Sequence, residues 1–125
     1  MLIIRKEQMS VFETQFSRRF RDGLLEHVRT EFAESVKNLA DPALQRLLDD
    51  AITRSLTYGV TAERDVALFA DLLFLLGHQF DREARLGWAR KILLDSSLDG
   101  EAKMKAIYSR LAAMENRKPL PETEN

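Results

Sequence analysis

Between Val66 and Leu76 the chain reads Val-Ala-Leu-Phe-Ala-Asp-Leu-Leu-Phe-Leu-Leu, a run with Asp71 as its only charge. A helix that is apolar nearly all round is the buried centre of a bundle. The run is also too short to cross a bilayer, which takes about 20 apolar residues. Its neighbours carry helical spacing of the one-sided kind. Leu44, Leu47, Leu48, Ala51, Ile52 and Ser55 fall on one face at about 100° per residue, with Arg46, Asp49, Asp50 and Thr53 opposite. Met104, Ile107, Tyr108, Leu111 and Met114 repeat the pattern near the C-terminus. Strand signals are nearly absent, and the only β-like run is Leu2-Ile3-Ile4. The expected fold is all-α: a compact bundle of about five helices, with a long first helix and a buried central one. They are expected over about 6–38, 42–58, 62–77, 83–94 and 100–115.

The boundaries come from a few local signals. Asp41-Pro42 joins a capping residue to a proline suited to the first helical position. Gly59 after Tyr58 suits the left-handed residue that closes a helix. Thr61 and Asp99 are expected as N-caps, Glu63 suits the positive end of a helix, and Gly77 and Asp81 punctuate the next boundary. The 125 residues fit one domain. It is expected over 1–115, followed by a loose polar tail, 116–125, that contains Pro119 and Pro121.

The first segment carries two apolar faces. Met9, Phe12, Phe16 and Phe20 share one; Leu25, Val28, Phe32, Val36 and Leu39 share another, rotated by about half a turn. A kink at Asp22-Gly23, or a change of packing partner there, would reconcile them. The aromatic face has Arg18, Arg19 and Arg21 beside it as a polar rim. Aromatics, methionine and arginine are enriched at the centres of protein interfaces. Met9, Phe12, Phe16, Arg19 and Phe20 are therefore the candidate partner-binding residues, the competing role for the apolar ones being to cap the core.

Chemistry is harder to find. The chain has no cysteine, which excludes disulfides, thiolate metal sites and cysteine nucleophiles. His27 and Glu31 can share a helix face, but two ligands do not make a zinc site. His78 follows Gly77, where an imidazole can cap carbonyls, and Asp71 reads as a paired or edge carboxylate. Phosphate-loop, dinucleotide, nucleophile-elbow and zinc-protease motifs are all missing. No cofactor or metal is expected, and no enzyme is indicated; a helical enzyme with a carboxylate site that no motif reveals is one alternative. Ser55–Thr61 resembles the turn of a helix-turn-helix, but Asp65 stands where that motif needs an apolar residue, and Glu63 and Asp65 would repel phosphates. Net charge −1 also argues against a DNA-binding regulator. The start has four apolar residues, short of the 7–15 or so of a secretory signal. The expected location is the cytoplasm, with no membrane partner.

Four blocks carry a family likeness: Ile4-Arg5-Lys6-Glu7-Gln8-Met9; Tyr58-Gly59-x-Thr61-x-Glu63-Arg64-Asp65-Val66; Asp71-Leu72-x-Phe74-x-Leu76-Gly77-x-x-Phe80-Asp81; and Trp88-Ala89-x-x-Ile92-Leu93. Over about residues 1–115 the chain resembles a family of small all-helical bacterial proteins encoded beside type VI secretion spike, PAAR-repeat and effector genes. The chain departs from that family after Asp81, where Arg82-Glu83-Ala84-Arg85 replaces a short acidic-proline loop. The resemblance implies a binding protein: an adaptor or chaperone for an effector, toxin or spike component, or alternatively an immunity protein. Mixed charge favours the adaptor, because immunity proteins often carry a strongly charged face. A homodimer is a further expectation.

Overall fold

A computed structural model describes residues 16–117. These form α1 (Arg18–Glu31), α2 (Ala33–Val36), α3 (Asp41–Thr57), α4 (Glu63–Leu76), α5 (Gly87–Leu93) and α6 (Gly100–Arg117), with no strand among the described residues. The fold is all-α, as the spacing predicts. Helix α4 packs against α1, α3 and α6. Val66, Phe69, Ala70, Leu72 and Leu73 are wholly buried, so this helix is the centre of the core. Leu75, 51% exposed, marks where α4 emerges from it.

The first helix corrects the sequence reading. Gly23 sits inside an unbroken α1, and a Cβ placed there would meet nothing within 4 Å. No break interrupts the helix at Asp22-Gly23, where a kink or a change of packing partner is expected. Phe16, Phe20, Leu24 and Val28 all pack on the core at four-residue steps. A row at that spacing drifts about 40° per step, so the apolar face turns gradually and needs no bend. Leu24 is the bridging residue. The break comes instead at Phe32, whose φ of −125° separates α1 from α2. Arg29 holds the following turn, donating to the carbonyls of Val36 (2.8 Å) and Leu39 (2.6 Å) and to the Asp41 carboxylate (2.7 Å). Residues 6–15 and the tail beyond 117 lie outside the described residues.

The caps are divided. Asp99 caps α6 as expected, accepting from the Ala102 N–H at 2.8 Å. Asp41 is the first residue of α3 rather than its cap, and Ala62 stands before α4 in place of Thr61. Ser17 supplies an unforeseen cap, its hydroxyl accepting from the Phe20 N–H at 3.2 Å. Gly59, with φ +79°, closes α3 as expected. Its N–H donates to Leu56 and that of Val60 to Ser55, the paired bonds of a Schellman motif. Lys103 of α6 donates to the Tyr58 carbonyl at 2.7 Å on the same turn. Gly100 lies against it so closely that a Cβ would stand 3.0 Å from the Val60 Cα.

The helix expected at 83–94 begins only at Gly87. Two short 3-10 turns, Phe80–Arg82 and Ala84–Leu86, precede it. Phe80 and Asp81 are drawn into the protein there, Asp81 to 1% exposure. The Asp81 carboxylate accepts from Arg54 on one oxygen and from the Tyr58 hydroxyl, at 2.7 Å, on the other. Its backbone carbonyl accepts from Arg90 at 3.0 Å. Burial opposes ionisation of Asp81. The hydrogen bonds from Tyr58 and Arg54, with the arginine's charge, outweigh it and hold the pKa below the ordinary 3.8.

Two outcomes follow. Gly23→Ala should raise stability by up to about 1 kcal/mol, whereas Gly100→Ala should lower it by about 1–3 kcal/mol through overpacking; urea midpoints read both. A depressed carboxylate pKa stabilises the fold above the unfolded value, and that contribution is lost as pH falls through the folded value. Asp81→Ala, which leaves Arg54 buried without this partner, should cost about 3–5 kcal/mol at neutral pH. The gap from the parent protein should narrow as the pH is lowered below 3.8. A gap independent of pH would show that the contact is not ionic.

Candidate functional site

Helices α1 and α4 run side by side in the same sense. His27 meets Asp71, and further along Phe32 stacks on Phe74 with ring centroids 5.2 Å apart. Before these contacts the two helices leave an open groove of about 690 Å³. Phe20, Leu24, Ala67 and Leu68 give it an apolar floor, with exposed Arg19, Glu63 and Arg64 at its edges. Carboxylate and guanidinium groups thus frame an apolar strip.

The far end of the groove is closed by the His27–Asp71 pair. His27 Nε2 lies 3.0 and 3.2 Å from the two oxygens of Asp71. Burial pushes the Asp71 pKa above its usual range; the His27 charge and hydrogen bond partly offset this, and Glu31 adds to it. Tyr108 anchors the floor from behind, donating to the Leu68 carbonyl at 2.6 Å. Its own pKa is raised by burial and by the Asp71 charge. The His27–Asp71 pair thus ties α1 to α4 at the groove's end. The Ser17 hydroxyl nearby is engaged as a helix cap. Among the described residues no group of three His, Asp or Glu side chains is placed to hold a metal ion.

The candidate partner-binding residues separate. Arg19 and Phe20 line the groove. Phe16 is 1% exposed, packed in the core and tilted against Phe20 at 5.4 Å, so its ring takes the core role and is not offered to a partner. Met9 and Phe12 lie outside the described residues. Asp71 is a paired carboxylate, as read from the sequence. His27 finds its partner on α4 rather than four residues away at Glu31. His78 is exposed and lies edge-on to Phe74 at 5.6 Å. Sequence reasoning missed Leu24, Ala67 and Leu68 as groove residues. The one available signal was Asp71, a lone charge in an apolar run that needs a partner from elsewhere.

No family model, curated protein or solved structure matches the chain. Among the described residues no helix is long and apolar enough to cross a membrane. The pairing makes a direct prediction about charge. By carboxyl-carbon NMR, Asp71 should titrate above 3.8, and higher still in His27→Gln, because the lost imidazolium is what lowers it. An unchanged titration would mean that the two groups are not coupled.

Proposed function

We propose that this chain is a non-catalytic protein-interaction module, an adaptor or chaperone for a type VI secretion effector or spike component, and that it engages this partner through the α1–α4 groove. One observation supports the reading most. Arg19 and Phe20, candidates from helical spacing and residue type, lie together on an open groove with an apolar floor and charges of both signs at its edges. That is the chemistry by which grooves take an amphipathic helix: apolar anchors set the depth and flanking charges set the register. The occupant is a helix of the effector or spike protein, its apolar stripe on Phe20, Leu24, Ala67 and Leu68, with an acidic residue facing Arg19 or Arg64. The secretion context rests on the sequence resemblance alone.

Co-expression with the effector and spike components of the same locus tests this. One of them should co-purify with the parent protein. Arg19→Glu combined with Ala67→Glu should weaken that capture at least tenfold, about 1.4 kcal/mol, while the melting temperature stays within a few degrees. Capture that survives these changes would remove the groove from the function. Neutralisation of the toxin's activity by the purified chain would replace the adaptor role with that of an immunity protein.

A further inference from the structure

The second apolar surface lies away from the groove, where α4 leaves the core beside the last turns of α6. Leu75 is 51% and Met114 41% exposed, both large apolar side chains. With Tyr108, Leu111, Ala112 and Glu115 they line an open depression of about 610 Å³. Contiguous exposed apolar side chains on a small protein mark a contact surface.

The order of residues along α6 indicates what covers it. Lys105, Tyr108, Ala112 and Glu115 follow one another at steps of three, four and three, the spacing of a helix-pairing seam. Lys105, Ala112 and Glu115 are exposed, and Tyr108 is half-buried. The seam is self-complementary when reversed. A two-fold axis beside residue 110, relating two antiparallel copies of α6, sets Lys105 of one opposite Glu115 of the other. The same axis sets Tyr108 opposite Ala112, a large side chain against a small one. Each match occurs twice, as a two-fold interface requires. A parallel arrangement would oppose Lys105 to Lys105 and Glu115 to Glu115, which is repulsive. Leu75 and Met114 flank the seam and extend its apolar area.

From this we infer that the α6 face, with Leu75 of α4, is a homodimer interface whose occupant is an antiparallel second copy of the chain. The inference uses no residue of the α1–α4 groove and stands or falls separately from the function proposed there. A single pair of helices of this length, about 27 Å, lies at the small end of specific interfaces. The dimer should therefore dissociate on dilution through the micromolar range.

Sedimentation equilibrium on the full chain provides the test. The parent protein should shift from 14.4 kDa toward twice that mass as its concentration rises. Lys105→Glu and Glu115→Lys should each weaken association at least tenfold, since each sets like charges opposite one another. Mixing the two single variants should restore dimers, because the two altered residues then face each other with opposite charges, as do the two unaltered ones. The double variant should associate like the parent. Circular dichroism confirms that each variant is folded. A parent protein that stays at 14.4 kDa throughout overturns the inference; residues 118–125 covering the face in the same chain would give that result. So would single variants that dimerise as the parent does, or a mixture of them that fails to recover.

Discussion

The arrangement of this bundle depends on a carboxylate that has been taken out of water. Asp81 sits at 1% exposure between the end of α3 and the start of α5, and an ion in that position is tolerated only if its lone pairs are met. Arg54 of α3 and Tyr58, the residue that caps its end, meet both oxygens, and Arg90 of α5 meets the backbone carbonyl. The end of α3, the Phe80–Arg82 turn and α5 are thereby joined through polar contacts as well as the shared core. The turn before α5 is fixed at Phe80–Arg82, and this is why the regular helix starts only at Gly87. Arg54 and Asp81 are both buried, so the clasp is sensitive to the loss of either.

Tyr58 joins this clasp to the end of α3. Its hydroxyl serves Asp81, while its carbonyl accepts from Lys103, which lies across the Gly59 turn from α6. The turn needs Gly59 for its positive φ, and the close approach of α6 needs Gly100 for the absence of a side chain. Two glycines and a buried lysine thus dock α6 on the α3–α4 turn, and α4 is held between α3 and α6.

What was legible in the sequence was whatever a single helix decides for itself. The apolar run of α4 identified the core, and Asp99 and Gly59 identified ends whose bonding partners lie within five residues. Asp41 and Thr61 were misplaced by one residue, because Arg29 recruits Asp41 and an alanine precedes each helix instead. The two faces of the first segment are a related case. Half a turn apart, they call for a kink or a change of packing partner unless Leu24 joins them, and only packing shows Leu24 buried. The candidate site was less visible still. His27 and Asp71 are 44 residues apart, and no periodicity links a histidine on one helix to a carboxylate on another. Arg19 and Phe20 could be named from residue type. Their neighbours across the groove belong to α4, whose side chains read only as core.

Helix α4 has a double role that follows from these constraints. Val66, Phe69, Ala70, Leu72 and Leu73 fix it in the core, while Ala67, Leu68 and Asp71 reach the groove and Leu75 reaches the α6 face. Tyr108 connects the two surfaces, lining the α6 depression while its hydroxyl binds the Leu68 carbonyl behind the groove floor. Because the core between them is close-packed, the surfaces are held in a fixed relation and cannot rotate past one another. A dimer joined through α6 would carry two grooves at a set separation. On the function proposed above, a partner presenting its helix more than once at a matching separation would be held at both, the second contact forming at the high effective concentration set by the first. Modest affinity at each groove would be enough under that arrangement.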